Sequence, residues 1–330
     1  MKVIQWAVPS FPLIVCSSRG QEMFFRETNG WCWDEALWTG RHVSSSEQVI
    51  ISAPPNISAN ADVCVLSQEL LAVWLDLSKQ TGKVLLRCVA PGGSDEYPVW
   101  RVVRENIGRL AGICVLGGEK QRLRMQQWAD AAGYRGTPVV AFATGAQVLP
   151  FEVPAAQRHG AVYLGRIIPE KRVDVVVRAC AQAGVRLTIC VEPSSLVGHD
   201  MDALCALVRE LDSEVAFTSV GTLERTELLS RSRCVVTASH ADAQWLPGTE
   251  ARACGAVGIA ERGTLIEEYN GTGLLYHDGT VEDVVRVVME MHSERFQAEA
   301  ERQRGAFFAA GLDSASSGKR FMDWIRGVLG

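Results

Sequence analysis

The segment AVYLGRIIPEKRVDVVVRACAQAGV, residues 161–185, contains the pattern that decides the fold. It opens with a short apolar run, continues through a charged loop, and ends in a stretch of valine and alanine at helical spacing that stops at Gly184. A strand, a loop and a helix in this order are the repeating unit of α/β proteins. The segment therefore predicts one such unit, and several units in succession predict a parallel sheet covered by helices.

The same alternation extends along most of the chain. Predicted strands are VIISA (49–53), VCVLS (63–67), VLLRCVA (84–90), GICVLG (112–117) and PVVAFAT (138–144), followed after a proline-bearing linker at 148–160 by AVYLG, RLTICVE, EVAFTSV, CVVTAS and AVGIA. Predicted helices cover about 119–133, 170–184, 200–211, 223–232, 248–254 and most of 280–330. With 330 residues, about twice the common domain size, the chain is expected to form two α/β domains.

Composition excludes several classes of protein. The apolar fraction of 47% is ordinary for a globular chain, and no apolar run approaches the roughly 18 residues of a membrane-spanning helix. A net charge of −5 argues against a protein that simply coats nucleic acid. The start MKVIQWAVPSFPLIVCSS is similar to a signal peptide, but polar residues and prolines interrupt it, so a buried strand is the better interpretation.

The ten cysteines lie mostly inside apolar runs, and none forms a C-x-x-C pair. Such cysteines behave as small buried hydrophobic residues in a reducing compartment. We therefore expect a cytoplasmic protein with no disulfide framework and no metal cluster.

The loop after the strand at 161–164 is the first candidate site. It contains Gly165, Arg166 and Lys171, just before a predicted helix. Two cations and free backbone amides at a helix N-terminus suit a diphosphate. The alternative is a solvated loop that is basic by chance.

The second candidate is TASHADAQWLPGTEARACG, residues 237–255. A predicted strand ends near Ser239, a loop carries Asp242, and Glu250 follows eight residues later on a short helix. The two carboxylates are suited to accept hydrogen bonds from sugar or ribose hydroxyls. Acidic residues at helix N-termini also serve as caps, which is the structural alternative.

Taken together, these motifs resemble the retaining family-4 glycosyltransferases of the GT-B fold. That family carries G-R-L-x-x-x-K and later E-x7-E followed by Ala-x-x-x-Gly, and this chain has GRIIPEK at 165–171 and D-x7-E at 242–250 followed by ARACG. Similarity extends to SVGTLERTELLSRSRCVVTAS, to TGAQVLPFE at 144–152 and to NGTGLLY at 270–276. It spans about residues 110–276.

The resemblance implies an α/β GT-B fold of two Rossmann-like domains, 1–152 for the acceptor and 153–312 for the nucleotide-sugar donor, facing a central cleft. The final helix, 313–330, is then expected to pack back on the N-terminal domain. The implied activity is transfer of a sugar from a nucleoside-diphosphate sugar, with a UDP-sugar as the first expectation. The anomeric configuration is retained, with neither metal nor cofactor.

The resemblance also assigns roles to individual residues. Arg166 and Lys171 would bind the diphosphate and neutralise the leaving group. Asp242 would contact the donor sugar, and Glu250 would bind the ribose hydroxyls. The other implied donor-binding positions are Gly165, Val220, Gly221, Ser239, Trp245 and Leu246, with the region of Val220 and Gly221 meeting the base.

Departures from the family pattern leave questions open. Asp242 replaces the first glutamate, Trp245 stands where the family usually has glycine, and the first domain lacks a glycine-rich phosphate loop. His42 and His240 are weak candidates for the missing N-terminal histidine. The D-x-D sequence at 200–202 is better interpreted as a helix N-cap than as a metal site.

The acceptor is not fixed by the sequence. A glycan, a lipid, a small molecule and a hydroxylated base in DNA or RNA all stay open. A basic group in the first domain, Arg101, Arg104, Arg109, Lys120, Arg122 and Arg124, is either a solvated face or a contact for an anionic acceptor. The rival functions are a GT-B nucleotide-sugar epimerase and a non-catalytic nucleotide-sugar-binding module.

Overall fold

A computed structural model gives the structure of the chain. It describes residues 2–6, 48–52, 63–66, 83–88, 103–105, 107–133, 135–147, 153–191, 199–211, 214–218, 222–240, 242 and 244–329. The candidates His42, Arg101, Val220 and Gly221 lie outside the described residues. None of the described helices is both long and apolar enough to cross a membrane.

The elements alternate between strands and helices. The strands are β1 (Lys2–Trp6), β2 (Gln48–Ser52), β3 (Val63–Leu66), β4 (Lys83–Cys88), β5 (Leu110–Val115), β6 (Val139–Ala141), β7 (Ala161–Leu164), β8 (Leu187–Cys190), β9 (Val215–Thr218), β10 (Cys234–Val236), β11 (Val257–Glu261) and β12 (Leu275–His277). The main helices are α1 (Glu119–Ala131), α2 (Val173–Gln182), α3 (His199–Glu210), α4 (Thr222–Arg231), α5 (Leu246–Cys254), α6 (Leu265–Asn270), α7 (Val281–Met291), α8 (Arg295–Ala309) and α9 (Ser314–Leu329).

The chain divides into two compact units, one of residues 1–145 with 314–330 and one of residues 146–313. In the first unit, six parallel strands lie in the order β2-β1-β3-β4-β5-β6. Val63 and Leu85 of this sheet pack in one cluster with Phe321 and Ile325 of α9. The last helix thus belongs to the core of the first unit, although it follows the whole second unit in sequence.

The second unit holds six parallel strands in the order β12-β11-β10-β7-β8-β9. Numbered within the unit, this is the 3-2-1-4-5-6 order of a Rossmann sheet. Its main core combines the apolar strands with α2 and α7, where Val176, Ile189, Val236 and Val288 are fully buried. The continuous apolar strands that the sequence showed are explained by this burial on both faces.

A buried glutamine ties α8 to the sheet. The side-chain amide of Gln303 donates to the carbonyl of Gly258 at 3.1 Å, and its oxygen accepts from the Gly258 amide at 2.9 Å. Gly258 lies in β11, one residue before the β12 ladder begins at Ile259. Gln303 therefore satisfies two backbone groups that the neighbouring strand does not reach, and it is itself fully buried.

Replacing Gln303 with methionine should destabilise the second unit. The change leaves the amide and carbonyl of Gly258 buried without partners, which should cost about 2 kcal/mol or more. The matched control is Gln297→Met on the same helix, because Gln297 is exposed and its hydrogen-bond partner among the described residues, Glu301, lies one turn away. Urea unfolding followed by circular dichroism measures both variants, and equal stabilities would contradict the role of Gln303.

Candidate functional site

The strand order of the second unit creates a crevice at the carboxyl ends of β7 and β10. These two strands pair directly, but the chain continues from β7 to β8 on one side and from β10 to β11 on the other. Ligands of open α/β sheets bind where the strand order reverses in this way. The loops after β7 and β10 carry the candidate residues Gly165 to Lys171 and Ser239 to Asp242.

Lys171 and Asp242 join these two loops. The ammonium of Lys171 donates to Oδ1 of Asp242, although the residues are 71 positions apart in sequence. The Lys171 side chain is nearly buried, and that of Asp242 is 23% exposed. Two residues that the sequence placed in separate motifs are therefore in contact at the crevice.

Arg166 differs from Lys171 in its surroundings. Its side chain is exposed and forms no ion pair with any of the described residues. Its backbone is held in place, because the hydroxyl of Tyr163 donates to the Arg166 carbonyl at 2.7 Å and the Gly165 amide donates to the Cys190 carbonyl at 3.1 Å. A fixed backbone with an accessible guanidinium is suited to bind an anion from solution.

Arg172, which the sequence did not single out, links the β7 loop to the ends of two further strands. Its guanidinium lies 2.8 Å from a carboxylate oxygen of Glu261, 2.8 Å from the His240 ring and 2.8 Å from the Gly279 carbonyl. The His240 ring lies 3.2 Å from the other oxygen of Glu261. In the sequence, Arg172 is distinguished only by being a cation directly after the candidate Lys171.

His240 connects the same two loops through its backbone. Its amide donates to the Glu170 carbonyl at 3.2 Å, so that the loop after β10 is hydrogen-bonded to the residue before Lys171. The side chain is about half exposed and contacts Arg172 and Glu261. In the structure His240 therefore supports the loops that carry Lys171 and Asp242.

Trp245 is the N-cap residue of α5 and has a left-handed conformation, with φ at +51°. The family to which this chain is similar usually has glycine there, the residue that adopts such a φ without strain. The indole of Trp245 is buried and lies against Gly248, where an added Cβ would overlap the ring. Trp245 therefore packs into the core, and only its backbone is placed to meet a ligand.

Glu250 follows on the same helix and pairs with Arg225 of α4. The Arg225 guanidinium nitrogen Nη2 lies 2.9 Å from Oε1 of Glu250, and the two side chains are 14% and 24% exposed. Burial raises the pKa of the Glu250 carboxyl, and the positive charge of Arg225 opposes that rise. Arg225 is a second residue that sequence reasoning missed, since nothing in TLERTELL distinguishes it from an ordinary surface arginine.

Two further donor-binding candidates lie near the crevice, whereas the D-x-D sequence lies on another helix. Ser239 is buried three residues after the end of β10, and its amide donates to the Thr237 hydroxyl at 3.2 Å. Leu246 is the first residue of α5. The D-x-D sequence falls at the start of α3, where Asp202 is exposed. Among the described residues, no group of three or more His, Cys, Asp or Glu side chains is arranged to hold a metal ion.

The basic group of the first domain is dispersed over three elements. Of its described members, Arg122 pairs with Glu119 within α1, while Arg104, Arg109, Lys120 and Arg124 lie at exposed positions.

His277 lies beneath these loops in a neutral form. Its Nε2 lies 2.9 Å from the Thr237 carbonyl, to which it donates, and its Nδ1 accepts from the Gly279 amide at 3.0 Å. Both bonds require that the single proton sits on Nε2. Burial lowers the pKa of His277, against the opposing charges of Glu261, Asp283 and Asp278.

Replacing Gly248 with alanine should destabilise the second unit. The added methyl would overlap the Trp245 ring, and such overpacking costs roughly 1–3 kcal/mol. The matched control is Gly305→Ala on α8, where no atom lies within 4 Å of the new Cβ and alanine favours the helix by up to about 1 kcal/mol. Thermal unfolding followed by circular dichroism compares the two, and a Gly248→Ala variant as stable as the wild type would contradict this packing.

Stability should fall as the solution is acidified through the range in which an unfolded histidine takes up a proton. Because the folded pKa of His277 is lowered, the unfolded chain binds this proton first, so the free energy of unfolding decreases below about pH 6.5. In His277→Gln, the amide can donate to Thr237 and accept from Gly279 without titrating. Urea unfolding between pH 7 and pH 5 should show a weaker pH dependence in this variant, and identical profiles would contradict the neutral tautomer.

No protein-family model matches the chain, and no curated protein matches it in sequence. Solved structures do resemble it. The sucrose-phosphate synthase of Thermosynechococcus elongatus has a TM-score of 0.74 at 11% identity, covering 99% of this chain and 98% of the synthase. Anabaena HepE in complex with UDP has a TM-score of 0.71 at 12% identity, covering 99% of this chain and all of HepE.

The α,α-trehalose 6-phosphate synthase of Burkholderia multivorans is also similar, with a TM-score of 0.64 at 12% identity over 81% of this chain and 72% of the synthase. At sequence identities of 11–12%, the similarity to these structures establishes the fold alone. The chain has the GT-B fold of two Rossmann-like α/β domains, which confirms the fold class predicted from the sequence.

Proposed function

We propose that the chain transfers a sugar from a nucleoside-diphosphate sugar to an acceptor hydroxyl, with retention of the anomeric configuration. The observation that carries this proposal is the contact between Lys171 and Asp242 at the reversal point of the second sheet, beside the exposed Arg166. Among the structures with the same fold is HepE, which was solved with UDP-glucose. A UDP-sugar is therefore the first donor to test.

In this proposal the cations bind the donor diphosphate. Arg166 and Lys171 offer N–H donors to its oxygens and balance the charge that develops as the nucleotide leaves, an electrostatic role that needs no metal. The N-terminus of α5, with the backbone of Trp245 and Leu246, adds a favourable dipole. Gly165 and Ser239 complete the lining at the ends of β7 and β10.

Asp242 and Glu250 then bind hydroxyl groups at the two ends of the donor. Asp242 contacts the sugar, and Glu250 accepts hydrogen bonds from the ribose. Val220 and Gly221, which precede α4, meet the base. This assignment is carried by the resemblance together with the positions of Asp242 and Glu250 on either side of the α5 N-terminus.

Retention is proposed to proceed by attack on the face from which the nucleotide leaves. The bond from the anomeric carbon to the phosphate oxygen breaks as the bond to the acceptor oxygen forms, and the acceptor proton passes to the departing phosphate. Asp242 is a poor nucleophile in this arrangement, because its carboxylate is bonded to the Lys171 ammonium. A glycosyl group trapped covalently on Asp242 would overturn this mechanism.

We also propose a reducing, cytoplasmic setting. The seven described cysteines are all free, and all but Cys205 are buried. Burial raises the pKa of the Cys180 thiol to about 12 and that of Cys254 to about 11, which keeps both unreactive.

A thermal-shift panel of UDP-, GDP-, ADP- and CMP-sugars tests the proposal. A donor at about one hundred times its dissociation constant should stabilise the fold by roughly 2.7 kcal/mol, a readily measured increase in Tm. Arg166→Ala and Glu250→Ala should abolish the shift. Arg186→Ala should preserve it, because Arg186 is an exposed arginine that pairs with Glu214 at the opposite ends of the strands.

The outcomes separate the rival functions. No shift with any donor would contradict the proposal. A shift without transfer or slow hydrolysis would favour a binding module, and an isomerised nucleotide sugar formed without acceptor would favour an epimerase. Release of UDP that depends on an added glycan, lipid, small molecule or hydroxylated nucleobase identifies the acceptor class.

A further inference from the structure

The pair formed by Arg225 and Glu250 connects the two helices that flank β10. Arg225 is the fourth residue of α4 and Glu250 the fifth of α5, so each lies about one turn after the N-terminus of its helix. In a parallel α/β sheet these termini are at the carboxyl edge, where ligands bind. The pair is therefore on the same edge as Lys171 and Asp242.

Helix stability does not explain the position of Arg225. The N-terminus of a helix is the positive end of its dipole, so a cation in the first turn is opposed and an anion is favoured. Glu224 already supplies the favourable charge, and the cation that suits the helix C-terminus is Arg231, which pairs with Glu227 at the surface. The position of Arg225 is explained by its partner on α5.

The geometry leaves part of the Glu250 carboxylate available. Only Oε1 is within ion-pair distance of Arg225, and Oε2 has no hydrogen-bond partner among the described residues. The side chain of Glu250 is 24% exposed. One oxygen is thus fixed by the guanidinium, and the other is free to accept a hydrogen bond from a ligand hydroxyl.

Charge explains why an arginine is useful there. A protonated carboxyl group would lose acceptor capacity, and burial pushes the pKa of Glu250 in that direction. Among the described residues, the thiol of Cys254 on the same helix is a further titratable neighbour of Glu250, with Arg158 beyond it. The positive charge of Arg225 opposes this rise in the pKa of Glu250.

We propose that Arg225 is a positioning residue that holds Glu250 for the 2′-hydroxyl of the donor ribose, so that the site selects ribonucleotide over 2′-deoxyribonucleotide donors. This inference rests on the proposed function. It adds a positioning residue, and it adds a preference that disfavours deoxythymidine-diphosphate sugars as donors. Arg225 acts through Glu250 and does not itself touch the reacting atoms.

Isothermal titration of UDP and 2′-deoxy-UDP tests the inference. The wild-type chain should bind UDP at least about tenfold more tightly, the effect of one hydrogen bond to a charged acceptor. Arg225→Met and Glu250→Gln should each reduce this preference to about twofold or less, and the double variant should reduce it no further, since the two residues act as one unit. Arg231→Met, on the same helix, should keep the wild-type preference.

Each outcome has a distinct meaning. An Arg225→Met variant that keeps the wild-type preference, or weakens UDP and 2′-deoxy-UDP by the same factor, would overturn the inference. If methionine prevents folding, Arg225→Gln replaces it under the same criteria. UDP binding without any preference in the wild type overturns the inference alone, whereas a wild-type chain that binds neither nucleotide contradicts the proposed UDP donor as well.

Discussion

Direct pairing of β7 with β10 is the constraint on which the candidate site depends. Residues 165–233 separate the two strands in sequence, and five elements lie between them: α2, β8, α3, β9 and α4. Because both strands run parallel, their following loops emerge at one edge, side by side. This arrangement explains why Lys171 contacts Asp242. It also explains why the amide of His240 donates to the carbonyl of Glu170.

Backbone strain is concentrated at this edge. Among the described residues, Arg172 and Trp245 are the two non-glycine residues with positive φ, and each adjoins a candidate residue. Such conformations cost of order 1–3 kcal/mol each and persist only where surrounding contacts hold them. Arg172 is held by its bonds to Glu261 and Gly279, and Trp245 by the burial of its ring against Gly248. The side chains that impose the strain therefore also provide the contacts that compensate for it.

The sequence predicted what depends on local pattern. Strands such as Leu187–Cys190 and helices such as Val173–Gln182 follow from apolar runs and helical spacing, and the motif positions placed Lys171 and Asp242 at the ends of strands. Pairings between distant helices and strands were not predictable, because they depend on how each element is rotated in the fold. Arg225 and Glu261 were missed for that reason. Trp245 was recognised as unusual, but its inward direction required knowledge of Gly248.

The balance of charge at the crevice explains how the loops accommodate both cations and carboxylates. Lys171 is neutralised by Asp242 and Arg172 by Glu261, whereas Arg166 is exposed without an ion-pair partner among the described residues. Buried charges are tolerated when they are paired, so the enclosed positions carry pairs and the open position carries the single cation. A diphosphate approaching this edge would meet Arg166 first and would share Lys171 with Asp242. In the proposed function, Asp242 contacts the sugar and Lys171 contacts the phosphate, so a bound donor would join both groups in one network, because the two are already in contact.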